Sequence, residues 1–374
     1  MRLILPLLVG LIGDVDVADD AALRRAIETA KAGTTIRIAP GEYKGGVFAR
    51  DLVGQPDAPI VIRGADPKHP PVFRGMAFAI HLSRVAHLEL RDLVVERATD
   101  NGINIDDGGD MEAPSHHVVL SGLRVRDVGP DGNHDGIKLS GLADFRVENC
   151  TVERWGLGGS AIDMVGCRDG EIVGCSFRHG DRAGANAVQI KGGSRNVAVR
   201  RCRFEHAGER AVNLGGSTGT AFFRPRPEGF EAKDLLVEDC TFVGSAAAVA
   251  FVGVDGATVR RNVVYRPRYW GFRILQENRT PGFVASRNGR VEGNLIVFRT
   301  DEMKTAVNVG SGTAPQTFAF AGNAWYALDT PDRSRPTLPV AEAGGVYGVE
   351  PHFSNAEAGD LRLDPKFPDP RPKP

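Results

Sequence analysis

The chain has 374 residues, 42% hydrophobic and 25% charged, the composition of an ordinary soluble protein with ample material for a core. Its 46 Lys+Arg balance 47 Asp+Glu to a formal net charge of −1, which offers no case for nucleic-acid binding. Any affinity for an acidic polymer must therefore come from a local patch.

Residues 1–13, MRLILPLLVGLIG, combine a basic start with an apolar run of about ten residues, the pattern of a secretory signal peptide. The run is too short to span a bilayer. Cleavage near Gly13 would place the mature protein outside the cytoplasm, secreted or periplasmic. The competing reading is a buried first strand under an amino-terminal cap. Residues 18–43 then open with a helix. Ala22, Leu23, Ile27 and Ala30 mark one face, Asp19 or Asp20 caps it, and Gly33 is the expected stop. A short strand and the turn APGEY follow.

The organising stretch runs from Asp131 to Gly216. It reads DGNHDGIKLSG, GGSAIDMVG, GANAVQIKGG and GERAVNLGG. Each phrase alternates apolar and polar residues with period two, which means a strand with one buried face. Repetition at about 25 residues means a stacked solenoid, because each strand needs neighbouring coils to cover its apolar side. A solenoid grows in one dimension, so a single domain over 14–374 is expected despite the length. It divides into a cap at about 18–45, coils at about 46–330 and an irregular Pro-rich tail.

Aligning the phrases gives an outward column of Asn104, Lys138, Asp163, Gln189, Asn213, Ala250, Arg273 and Asn308. A second column holds Asp106, Ser140, Val165, Lys191 and Gly215. The position before each first apolar residue is always Gly or Ala, from Gly102 and Gly136 to Ala306. Either a tight corner or an open groove explains it. Cys150, Cys175, Cys202 and Cys240 recur in register, continued by Asn262, Asn294 and Asn323, and read as stacked buried residues rather than a disulfide framework. One interval in that series, between Cys202 and Cys240, is long. It holds the insertion at 217–234, and a second insertion spans 276–290. Insertions in solenoids are loops on one side, commonly the binding side.

Lys138 and Asp163 are ladder neighbours, for which an exposed ion pair of about 0–1 kcal/mol is the plain reading. Lys191 has Val165 and Gly215 as column neighbours and no acid directly above or below. Weak charge compensation can lower a lysine pKa and make it a base; a solvated surface lysine is the alternative. His134 and Asp135 in GNHDGIK suit acid–base or cation chemistry, or simply a turn. Asp106, Asp107 and Asp110 form a Ca²⁺-like cluster or a solvated loop. Arg273, Gln276, Glu277 and Arg279, with Arg224 and Arg226 of the long insertion, could form a basic clamp for carboxylates or sulfates.

A capping helix followed by TTIRIAPGEY resembles the start of right-handed parallel β-helix proteins of the pectate-lyase-like superfamily. PIVIRGADPKHPPVFRG is similar to a coil of those related to alginate lyases and chondroitinase B. AVQIKGGSRNVAVRRCRF resembles a segment of polysaccharide lyase family 6, and Lys191 falls on that family's catalytic lysine. The family's arginine in the next coil would fall near Gly215, with Arg210 the nearest candidate. Its acidic Ca²⁺ ligands have no counterpart in DRAGANAVQ.

The resemblance implies an all-β, right-handed parallel β-helix that cleaves a uronate-containing glycan by β-elimination. Lys191 would be the base, with Arg273, Lys138 or Arg210 neutralising the sugar carboxylate and His134 as acid. Asp163, Gln189 and Asn213 would bind hydroxyls, alongside Arg224, Arg226, Glu277 and Arg279. If Ca²⁺ takes part, Asp135 and Asp163 are the expected ligands; no organic cofactor is implied. The expected partner is an acidic polysaccharide or oligosaccharide, met by a monomer. A glycoside hydrolase or epimerase using Asp135 and Asp163 is one rival, spaced as for an inverting pair. A non-catalytic glycan-binding protein is the other.

Overall fold

The computed structural model describes residues 13–180 and 184–372; the signal-like segment up to Leu11 and Ile12 lies outside them. Among the described residues, three long parallel sheets carry 13, 12 and 10 strands. Each coil visits the 13-stranded first sheet, then the 12-stranded second sheet, then the 10-stranded sheet that bears the polar ladder. The chain is therefore a parallel β-helix, as the period-two phrases repeated at coil length require.

The apolar partners of the ladder residues form its core. Ile103, Ile137, Ile162, Val188, Val212, Val249 and Phe272 stack in one buried row, and Ile105, Leu139, Met164, Ile190, Leu214, Phe251 and Ile274 in another. On the second sheet Phe177, Phe204 and Phe242 stack with centroids 4.9 and 4.8 Å apart, the spacing of successive coils. The cysteines are free and buried. The Cys202 N–H donates to Cys240 Sγ at 3.5 Å, and the column passes to amides where Cys240 N–H donates to Asn262 Oδ1 at 2.8 Å. Asn262 and Asn294 each donate a side-chain N–H to the next asparagine at 2.9 Å, and Asn323 donates to Glu342 at 2.6 Å.

The capping helix spans Asp20–Thr29 and buries Leu23, Ala26 and Ile27; Asp19 caps it by accepting the Ala22 N–H at 2.8 Å. It stops before Gly33, whose φ of +84° instead turns the chain into the strand Thr35–Ile38. At the other end, stacking continues past 330 through Glu342–Ala343 and Val346–Tyr347 before an antiparallel hairpin, Phe353–Asn355 with Asp360–Leu363. Among the described residues, no helix is long and apolar enough to cross a membrane.

Candidate active site

Strand register places Asn104, Lys138, Asp163, Gln189, Asn213, Ala250, Arg273 and Asn308 side by side across eight coils. The ladder extends backwards to His81 and Phe48. The Gly/Ala position beside it is a corner and not a groove. A Cβ on Gly102 would lie 2.9 Å from Val125 Cγ1, and one on Gly136 would lie 2.6 Å from Val152 Cγ1, both inside the core. Because the corner residue also points inward, the residue before it returns to the outer face. That adds a column missed by simple alternation: Ser160, Asn186, Arg210, Ala247 and Trp270.

Four charged residues converge near the middle of the ladder. Lys138 Nζ contacts Asp163 Oδ2 directly and lies 3.4 Å from Asp135 Oδ2. Lys191 Nζ lies 3.2 Å from Asp163 Oδ1, the other oxygen of the same carboxylate, without hydrogen-bond alignment. The side chains of Asp135 and Asp163 are 4% and 3% exposed, those of Lys138 and Lys191 26% and 18%. The Lys138–Asp163 pair is thus largely buried, not the exposed pair expected. Removing one partner of a buried pair costs about 3–5 kcal/mol because a charge is stranded.

Lys191 does have an acid close by, contrary to what its column neighbours imply. Its long side chain reaches the acid diagonally across the ladder rather than along its own column. Burial, reinforced by the Asp163 charge, pushes the Asp135 carboxyl up to about 7, although Lys138 opposes this and the Ser160 N–H donates to Asp135 Oδ1 at 2.7 Å. For Lys138, burial presses downward, but the two carboxylates outweigh it and hold the ammonium above its ordinary range.

These carboxylates do not fit a Ca²⁺ site. Calcium takes six to eight oxygen ligands, whereas both acids here face lysine ammonium groups. The Lys138 ammonium stands where an inverting carboxylate pair would hold its water. Such a pair stands about 6.5–9.5 Å apart around a water, and here one ammonium touches both carboxylates.

A second cluster lies further along. Arg210 donates to Asn213 Oδ1 at 3.1 Å and to Glu277 Oε1 at 2.6 Å. Arg273 donates to Asn308 Oδ1 at 3.1 Å and Glu209 Oε1 at 3.0 Å, and its guanidinium lies 4.1 Å from the centroid of the Trp270 ring. Burial, with the neighbouring Arg210 charge, holds Arg273 below its ordinary range. Arg210 Nε is buried without an acceptor. Gln189 sits between the clusters and accepts from Asn186 Nδ2 at 2.9 Å. Asn213 is buried and donates to the Gly215 carbonyl at 3.1 Å, leaving little of its amide for a sugar hydroxyl.

The other expected residues are dispersed. His134 binds Asp100 at 2.7 Å through Nδ1. Arg224 does not join Arg273. It lies over the turn glycines of successive coils, its guanidinium 3.2 Å from buried Asp107. Gly166, at φ +61°, is required there twice over, since a Cβ would come within 2.3 Å of Arg224. Arg226 and Arg279 are exposed. Asp106 accepts from Ser83 Oγ and the Gly108 N–H and binds His81 Nε2 at 2.6 Å, and Asp107 accepts from the Gly109 N–H, so both serve the local turn.

The two insertions are anchored together by Glu231, which is fully buried. It accepts from Thr218 N–H and Oγ1 at 2.8 Å, from Asn278 Nδ2 at 2.7 Å and from the Gly192 N–H at 3.2 Å. Its contact to Gly192 fixes both loops beside the turn that follows Lys191. Trp270, Glu209, Asn186 and His81 were missed by sequence reasoning. His81 was visible in AIHLS, which has the same small–apolar–polar–apolar order; the other three precede or adjoin the corner residue.

Three solved structures illustrate the likeness in fold. An alginate lyase from Paenibacillus sp. strain FPU-7 is 18% identical with a TM-score of 0.58, covering 80% of this chain and 99% of its own. Pectate lyase Pel9A is 12% identical with a TM-score of 0.53, covering 95% and 90%. The A-module of the Azotobacter vinelandii mannuronan C-5 epimerase AlgE6 is 15% identical with a TM-score of 0.51, covering 88% and 96%. No curated protein matches the sequence. Residues 78–279 match the family described as right handed beta helix region. With more than half of its length matched, and a fold shared with pectate and alginate lyases, the chain belongs to the right-handed β-helix family.

Proposed function

We propose that the protein is a carbohydrate-active enzyme, a polysaccharide lyase that cleaves a uronate-containing glycan on the ladder face by β-elimination. The observation that carries this reading is the convergence of Lys138 and Lys191 on buried Asp163, with Asp135 poised near neutrality beside them. In β-elimination the sugar carboxylate is neutralised, a base takes the C5 proton and an acid protonates the departing oxygen. The four groups have no net charge when all are ionised, so one internal proton shift yields a neutral Lys191 and a protonated Asp135. That shift runs from Lys191 through Asp163 and Lys138 to Asp135.

Neutral Lys191 then takes the C5 proton as the C4–O bond breaks and a C4–C5 double bond forms. Lys138 gives its proton to the leaving oxygen and is refilled from Asp135. All four groups end ionised, and the same internal shift resets them. Arg210, with Arg273 two coils further along, neutralises sugar carboxylates. Arginine suits this because it stays charged and presents a planar fork. His134, held by Asp100, is not needed as the acid. The metal-free scheme follows from lysines occupying both carboxylates.

The test is ultraviolet absorbance of unsaturated product on a panel of polyuronates, with wild type and Lys191→Ala. Absorbance that rises for wild type and not for the variant supports the scheme. Equal rates in the two remove Lys191 from the mechanism. Reducing ends without absorbance identify a hydrolase, C5 inversion without scission an epimerase, and binding without turnover a glycan-binding protein.

A further inference from the structure

The first sheet carries a column of residues in the left-handed backbone region: His87, His117, Asp144, Asp169, Asn196, Asp234 and Asn288, with φ between 48° and 57°. Asn, Asp and His are the non-glycine residues that tolerate this conformation best, which accounts for His87 and His117 individually. It does not account for His116, which lies outside the column. On a regular strand His116 and His117 would point to opposite faces. The left-handed turn at His117 cancels that alternation, so both rings lie on one side and meet His87 from the preceding coil.

The ring centroids are 4.4 Å apart for His87 and His117, 5.3 Å for His87 and His116, and 5.1 Å for His116 and His117. One nitrogen from each of the three rings lies within 4.8 Å of the other two, and His116 Nδ1 faces His117 Nδ1 at 2.8 Å.

We propose that His87, His116 and His117 form a divalent transition-metal site of the Zn²⁺ class on the first sheet. Imidazole nitrogens are the ligands that zinc, copper and nickel prefer and calcium does not. The three imidazoles already bring one nitrogen each to the same point, as ligands of a shared ion must. Asp144 stands opposite His117 in the next coil, near enough for its charge to act on His116, and lies outside the group of three rings. All three histidines come from adjacent coils, so the ion ties the strands Ala86–Arg91 and Ser115–Ser121 together. The site is separate from the ladder face and does not depend on the lyase reading.

The test uses the full, untagged chain stripped with a chelator. Calorimetric titration with Zn²⁺ is expected to show one ion per chain, and saturating Zn²⁺ to raise the melting temperature by several degrees, since the ion binds only the folded form. Co²⁺ should give a visible absorption band of nitrogen-ligated metal. His116→Gln, and His87→Asn or His117→Asn, which keep a residue type suited to the left-handed backbone, should lose both the titration and the thermal shift while keeping the wild-type circular dichroism. Absence of Zn²⁺ binding in wild type, or binding that survives His116→Gln unchanged, overturns the assignment.

Discussion

Two charged clusters share the ladder sheet, and they are built differently from the same register. Around Asp163, two lysines meet two carboxylates that are almost fully buried. Around Arg210 and Arg273, two arginines meet Glu209 and Glu277, whose side chains are 37% and 34% exposed. Both clusters balance their charge, but the first contains a group, Asp135, that exchanges a proton near neutral pH. Burial is what separates them: it lifts Asp135 to about 7, whereas guanidinium groups remain charged wherever they sit. On the proposed lyase reading this becomes a division of labour along one wall, proton transfer at the lysines and anion holding at the arginines.

The largest expected effect that would break this division is at Lys191. Lys191→Ala should lower kcat by about 10²–10⁴, the range for a lost general base, with KM changed far less; steady-state kinetics on the active polyuronate measure it. Asp163→Asn comes next. It leaves two lysines without their shared counter-charge, so kcat should fall by about 100-fold while thermal melting shows a folded protein of lower stability. If Asp163→Asn retains full turnover, proton shuttling through that carboxylate is wrong.

Changes at the arginines should move binding instead. Arg273→Ala is expected to raise KM about tenfold or somewhat more, as for one charge-assisted hydrogen-bonded contact, with little change in kcat. Arg210→Lys, which keeps the charge and loses the fork, should behave similarly. An equal fall in kcat for either would merge the two clusters into one functional unit.

The last expected effect is on stability. The folded pKa of Asp135 is raised from 3.8 to about 7, so the folded state keeps a proton that the unfolded chain releases. That contribution is fully present below about 3.8, declines as pH rises toward 7 and is gone above it. Melting temperatures of wild type should fall from pH 4 to 7 relative to those of Asp135→Asn, which cannot titrate. Parallel curves for the two proteins would contradict the raised pKa.

Much of this surface was legible from the residues alone. Lys138, Asp163, Gln189, Asn213 and Arg273 fall in one column because period-two alternation and repeated coils leave no freedom in which side chains point outward. The cysteine and asparagine column was legible for the same reason. The reach of Lys191 to Asp163 was not, because column alignment records neighbours above and below while a four-carbon side chain crosses diagonally. Trp270 and Glu209 were missed because the corner at the Gly/Ala position breaks strict alternation. Arg224 was misplaced because an insertion has no period from which its path could be read, and it lies over the turn glycines to reach Asp107.

The amino-acid sequence by itself determined the solenoid, its polar wall and the order of residues along that wall, since all three follow from local periodicity. Only the tertiary structure decided which charges are buried and which carboxylate two lysines share. It also decided that three histidines from two coils meet at one point. Burial and side-chain reach depend on what neighbouring coils and insertions cover, and these are properties of the packed molecule rather than of any single repeat.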